Sequence, residues 1–278
     1  MKLSNIFVND SVHLALETGT GLADLTAAGF GKSMDEVIAA GITEAELAPF
    51  LAAAPRVENP VYANILNKPD KILCVGLNYR EHVEKTWDTV HQQPVLFSKF
   101  SNALNRCGGE VSLPAWEETY DYEAELVIVI GKETWNVSEE DAIDSVFGYT
   151  CGNDLSCRKA QKRSGQWLIG KSLPGFAPAG PCIVTKDSFD PFAGKQVQSY
   201  VNGELRQNGN TRQMIFDLRR IISYASRYVR LEPGDLIFTG TPSGTAMEAP
   251  EGQNRWLVKG DRVDVVIEDL GTLTSTFR

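Results

Sequence analysis

Histidine is scarce in this chain of 278 residues: His13, His82 and His91 are the three, and none belongs to an HExxH spacing. Any metal chemistry therefore leans on carboxylates, which suit a hard ion such as Mg2+ or Mn2+ better than zinc. Cysteine is sparse and odd in number, with Cys74, Cys107, Cys151, Cys157 and Cys182 scattered and no CxxC among them. That argues against a disulfide framework and a thiolate zinc site, and fits a reducing, cytoplasmic setting. Long apolar runs are missing. None approaches the ~18 residues of a membrane span, and positions 1–10 lack the apolar core of a secretion signal. Positive charge is in deficit, with Lys plus Arg 27 against Asp plus Glu 36 and a net charge of −9. A global basic footprint for nucleic acid is absent. Neither nucleic acid nor membrane is expected as a partner.

What is present is ordinary globular material, 42% hydrophobic and 23% charged. At roughly 150 residues per domain, this length implies about two domains, or one large domain with an appendage. Strand-like segments over 5–12 and 13–26 open the chain. Ser33 with Glu36, and Thr43 with Glu46, then read as capping boxes of two short helices, the first ending near Gly41. Pro55 and Pro60 bracket an extended linker. We therefore expect a small N-terminal α+β unit over 1–66 and a larger domain over 67–278. In the second part, 71–76 and 123–130 are apolar strand candidates, and Ser138 with Asp141 predicts a helix toward Phe147. Asn202-Gly203 between strand-like arms is a strong hairpin signal, 214–228 has helical period, and 263–267 alternates and pairs back with 273–277. Strands outnumber helices without regular alternation between them, so a doubly wound parallel sheet is not expected.

The chemistry concentrates in a few pieces. In Asp121-Tyr122-Glu123-Ala124-Glu125-Leu126, two glutamates stand two apart at the head of an apolar strand, so both face one side. Carboxylates held that close need a neutralising cation, which a divalent ion supplies; the other reading is a solvated hairpin edge. In Asn153-Asp154-Leu155-Ser156-Cys157-Arg158-Lys159-Ala160-Gln161, a helix would set Asp154, Arg158 and Gln161 on one face. Asp154 either completes a three-carboxylate site or caps that helix. Lys171, in Gly170-Lys171-Ser172, either holds an anion or snorkels. His82 follows Gly76-Leu77-Asn78-Tyr79 and is the best general-base candidate, a core or surface histidine being the plain alternative. The loop Thr239-Gly240-Thr241-Pro242-Ser243-Gly244 exposes N–H groups able to hold a carboxylate, and lacks the GK[ST] ending of a P-loop.

In series, these segments resemble the fumarylacetoacetate hydrolase superfamily. To them belong Gly175-Phe176-Ala177-Pro178 with Gly180-Pro181, Val201-Asn202-Gly203-Glu204 and Leu231-Glu232-Pro233-Gly234-Asp235. The resemblance runs in order from about residue 71 to the C-terminus. It implies a mainly β fold with some α, a mixed-sheet roll, commonly as a homodimer. It also implies Mg2+ or Mn2+ held by Glu123, Glu125 and Asp154, and a small 2-oxo acid as substrate. His82 would activate water and Lys171 would stabilise developing negative charge. Gln161 and Thr241 would contact substrate, with Arg158 in support.

The activity implied is metal-dependent hydrolysis of a C–C bond in a 2,4-dioxo acid of the acylpyruvate or fumarylpyruvate type, releasing pyruvate. Oxaloacetate decarboxylation, isomerisation of a 2-hydroxymuconate-type acid, and a non-catalytic module with a relic site are the alternatives. Three departures bear on the choice. Lys85 stands where relatives pair the histidine with a glutamate, Lys159 replaces an acidic residue, and Pro174 precedes Gly175. The first leaves His82 without a carboxylate partner in sequence, which predicts modest hydrolysis at most. The stretch 86–93 has no counterpart in the resemblance.

Overall fold

The computed structural model describes residues 1–86, 91–250 and 252–278. Positions 87–90, within the unplaced stretch noted above, lie outside the described residues. The chain is mostly β, with 36% strand against 20% helix. An 11-stranded mixed sheet, a five-stranded sheet and a two-stranded ribbon carry the architecture.

The strand Ala124–Ile130 explains how the two larger sheets share one core. All seven of its residues are buried. Leu126, Ile128 and Ile130 face a cluster that includes Val197, Val263, Val265 and Leu273 of the five-stranded sheet. Val127 and Val129 face the opposite way, toward Phe147, Ile183 and Phe238, in a core that also takes Met34, Val37, Ile38 and Leu47 of the N-terminal helices. A strand covered on both faces has no polar alternation, which is why it reads as a continuous apolar run. It pairs antiparallel with Val146–Asn153 and with Leu236–Phe238.

The N-terminal segment extends the large sheet. Strands Lys2–Val8, Ser11–Thr18 and Gly21–Asp24 form a meander, and the first joins Ala177–Thr185 through Lys2–Val184 and Leu3–Ile183. The helices Met34–Ala40 and Glu44–Leu51 carry the capping boxes read from Ser33–Glu36 and Thr43–Glu46, and Gly41 closes the first in a left-handed conformation.

The Asn202-Gly203 hairpin forms between Gln196–Val201 and Glu204–Asn210, and the terminal pair is Arg262–Ile267 with Gly271–Phe277. Three helix expectations change. The segment after Ser138 makes only a 3-10 turn, Ala142–Ser145, because the β-branched and aromatic run that follows is taken into the central sheet as Val146–Asn153. The helix expected over 214–228 is confined to Leu218–Ser226, since Asp217 caps it by accepting from the Arg220 N–H. Asp154, Arg158 and Gln161 do not share a helix face: the helix is only Arg158–Gln161, and Ser156–Cys157 before it pairs with Tyr120–Asp121.

Candidate active site and carboxylate centre

Period two puts Glu123 and Glu125 on one side, and antiparallel pairing brings Asp154 to them. Ala124 is opposite Asn153, whose side-chain oxygen accepts from the Glu123 N–H at 3.0 Å. The Asp154 N–H donates to the Glu123 carbonyl at 2.9 Å. The three acids are buried, and one carboxylate oxygen from each lies within 4.8 Å of the others. Strand Ala124–Ile130 thus supplies two ligand candidates, and the end of its neighbour the third.

Cations crowd this cluster. Lys171 Nζ donates to Glu123 Oε2 and to Asp154 Oδ2, both at 2.6 Å. Arg158 donates from Nη2 to Glu123 Oε1 at 2.6 Å, from Nε to Asp121 Oδ2 at 2.8 Å, and from Nη1 to Gln161 Oε1 at 3.1 Å. Lys99, fully buried, sets its ammonium against Asp154 Oδ1 and donates to the Leu155 carbonyl at 2.9 Å. Burial alone would raise the Glu123 carboxyl, but Arg158 and then Lys171 reverse the balance and hold it well below the usual range.

Glu125 is treated differently. Among the described residues no basic side chain pairs with it; its one recorded donor is the Gly240 N–H, at 2.7 Å to Oε2. The Thr239–Gly244 loop does hold a carboxylate, and it belongs to the protein itself. Burial, then Asp154 and Glu123, push the Glu125 carboxyl well above its ordinary range. Among the described residues of this cluster, four buried carboxylates, with Asp121 included, face three basic side chains, Lys99, Arg158 and Lys171. The shortfall of positive charge sits at Glu125, where a hard divalent cation with oxygen ligands would correct it. The donor set therefore fits Mg2+ or Mn2+.

His82 lies on the helix Arg80–Thr86 and is buried. Its Nδ1 is bonded to Glu248 Oε1. Here the structure corrects the sequence: a carboxylate partner exists, supplied from far along the chain. Glu248 is held in turn by Ser243 Oγ at 2.5 Å, the Gly244 N–H at 3.0 Å and Thr245 Oγ1 at 3.2 Å. Burial works to raise its carboxyl, but the His82 bond and charge, with Ser243 and Gly244, bring it below the ordinary value. Lys85, which occupies the expected glutamate position, donates to Glu81 and to Ser243, each at 2.7 Å.

One cleft gathers these groups. His82, Glu123, Glu125, Asp154, Arg158, Gln161, Lys171 and Thr241 all line it, so every candidate site residue read from the sequence comes to one place. Its walls are Val75, Leu77, Phe97, Trp167 and Met247, and its volume is ≈ 50 Å³. Thr241 is fixed by donating to the Ala124 carbonyl at 2.9 Å and by accepting from Gln207 Nε2 at 2.7 Å. Glu248 and Lys99 have no counterpart in the sequence reading. Lys99 left one usable signal, a lysine closing the apolar segment Val95-Leu96-Phe97. Glu248 left none.

A mixed-sheet roll around a buried carboxylate triad, with a glutamate-bonded histidine on the same cleft, defines a class of 2-oxo acid enzymes. The model of the fumarylacetoacetate (FAA) hydrolase C-terminal domain matches residues 71–278, and the chain belongs to that family. It is 42% identical over 224 residues to the fumarylacetoacetate hydrolase domain-containing protein 2 homolog of Dictyostelium discoideum, covering 76% of this chain and 72% of that one. It is 37% identical over 272 residues to the mitochondrial oxaloacetate tautomerase FAHD2A of Homo sapiens, covering 94% of this chain and 86% of that one. Among solved structures, a fumarylacetoacetate hydrolase from Exiguobacterium antarcticum superposes with a TM-score of 0.89 at 34% identity, over 100% of this chain and 99% of that one. A maleylpyruvate hydrolase from Sphingobium sp. SYK-6, in complex with manganese(II) and pyruvate, gives 0.82 at 31% identity, over 100% and 98%. Members of the family are enzymes. No helix among the described residues is long and apolar enough to cross a membrane.

Proposed function

We propose that this protein is a divalent-metal-dependent enzyme acting on a small 2-oxo acid through its enolate, and that proton transfer at C3 of an oxaloacetate-type acid is its reaction. The observation that carries the proposal is that His82, bonded to Glu248 behind it, lines the cleft that holds Glu123, Glu125 and Asp154. Those three acids would hold Mg2+ or Mn2+. When bound, the ion supplies Lewis-acid chemistry for an enolisable 2-oxo acid. In the keto-to-enol direction His82 would take a proton from C3 while the oxygen at C2 gains one, and in the reverse direction it would deliver a proton to C3 as the enol oxygen loses its own; Glu248 holds the imidazole in one orientation and supports its cationic form. Lys171 presents an ammonium to the charge that develops on the substrate oxygen. Arg158 keeps Glu123 oriented, Gln161 and Thr241 offer an amide and a hydroxyl to the bound acid, and Phe97, Trp167 and Met247 limit water. The tautomerase relatives support this reading.

A second reading is the C–C hydrolysis that the family resemblance implies. The missing carboxylate partner was the objection to it, and Glu248 removes that objection. The maleylpyruvate hydrolase neighbour favours it as well. The purified protein with Mn2+ or Mg2+ should be given oxaloacetate and an acylpyruvate, following loss of the enol band, CO2 and pyruvate separately. Faster enol–keto exchange without CO2 or pyruvate supports the first reading. Pyruvate from the acylpyruvate moves the assignment to hydrolysis, and CO2 from oxaloacetate to decarboxylation. No metal binding and no turnover would leave the relic-site reading. We further propose a cytoplasmic homodimer, which light scattering and fractionation would check.

A further inference from the structure

From the cleft's charge pattern we infer that Lys162 selects substrates carrying a second carboxylate, by receiving it at the rim. The inference rests on the proposed function and names its substrate class, a dicarboxylic 2-oxo acid. Four basic side chains line the cleft: His82, Arg158, Lys162 and Lys171. Three are committed. His82 is bonded to Glu248, Arg158 to Asp121 and Glu123, and Lys171 to Glu123 and Asp154. Lys162 is exposed, and among the described residues its ammonium has no hydrogen bond or ion pair. Among the described residues it is the one cation of the cleft that no carboxylate pairs with.

Its backbone is held even though its side chain is open. Lys162 follows Gln161 directly and ends the short helix, its N–H donating to the Arg158 carbonyl at 3.2 Å. On the other side Arg163 is tied to the buried carboxylate of Glu117. The root of the side chain is thus fixed beside Gln161, on the lining of the cleft. The rest of the wall, Val75, Leu77, Phe97, Trp167 and Met247, is apolar or weakly polar and offers a distal carboxylate no charge. The cleft is small, so a short acid with its 2-oxo end at the buried triad has its tail directed to the rim. A carboxylate tail there gains a charge-assisted contact that a neutral tail of the same shape lacks.

The test compares oxaloacetate with its C4 methyl ester, and uses oxalate, which has no tail, as the reference ligand of the Mn2+-loaded protein. We expect wild-type kcat/KM to favour oxaloacetate over the ester by about tenfold, chiefly through KM. Lys162→Gln should abolish that preference while oxalate affinity stays within about twofold, and Lys162→Arg should restore most of it. A preference that survives in Lys162→Gln, with oxalate still bound, overturns the role of Lys162 and leaves the proposed function standing. Failure of the wild type to bind oxalate or to turn over any 2-oxo acid overturns both.

Discussion

The imidazole of His82 and the carboxylate of Glu248 are hydrogen-bonded across 166 residues of sequence. The helix Arg80–Thr86 carries the first, and the turn Ala246–Glu248, just beyond the Thr239–Gly244 loop, carries the second. Ser243, Gly244 and Thr245 supply three further donors to the same carboxylate, so the partner is itself fixed.

Glu248→Gln should lower kcat by at least ~10²-fold, the scale of general acid–base assistance, with a smaller change in KM and unchanged metal affinity. Steady-state kinetics with calorimetry decide this; unaltered kcat would remove Glu248 from the mechanism. The same group makes a pH prediction. Its folded-state carboxyl lies below the ordinary value of 4.5, so its contribution to stability is present above that value and is lost as pH falls through the depressed one. Denaturant titrations from about pH 5 downward should show wild type losing more stability than Glu248→Gln.

Glu125 has no basic partner among the described residues, and burying its carboxyl beside Asp154 and Glu123, which disfavours ionisation, costs stability in the metal-free chain. Glu125→Gln should raise the metal-free stability by ~1–2 kcal/mol and abolish the stabilisation that Mn2+ gives to wild type. Glu123→Ala should abolish binding too, but should destabilise, because it takes from Arg158 and from Lys171 one of the two carboxylates that each of them pairs with. Thermal melts with and without Mn2+ check both, and a Glu125→Gln protein less stable than wild type would show that the carboxylate is already compensated.

Lys171→Met should cut kcat by at least ~10²-fold, in the range of a lost oxyanion donor, with less effect on KM. Equal losses in kcat/KM through KM alone would make Lys171 a ground-state binder.

Gly170 is a packing prediction with a functional reach. A Cβ there would lie 2.4 Å from the Gln161 backbone nitrogen and 2.7 Å from the Cys157 carbonyl oxygen. Since backbone cannot swing aside, Gly170→Ala should cost about 1–3 kcal/mol and lower activity by separating Lys171 from Gln161. Urea unfolding alongside kinetics would test it, and a neutral substitution would show the two segments free to part.

Local rules carried the parts of this fold whose causes are local. Capping boxes at Ser33 and Thr43, the Asn202-Gly203 turn and the paired terminal strands each follow from a few neighbouring residues. The helix expected after Ser138 failed where long-range pairing outweighed a local cap: Val146–Asn153 lies between two other strands of the large sheet.

By itself the sequence determined the mainly β class and, through the order of its motifs, the family and eight residues of the cleft. Period two was enough to put Glu123 and Glu125 on one side, because that relationship is a property of a single strand. Only the tertiary structure decided how charge is shared among them. Asp154 meets the glutamates through antiparallel register, not along a helix, Lys99 is buried against it, and Glu248 completes His82 from a distant turn. Such pairings depend on which segments the packed sheets bring within a few ångströms, and electrostatic coupling acts through that distance, not through separation along the chain.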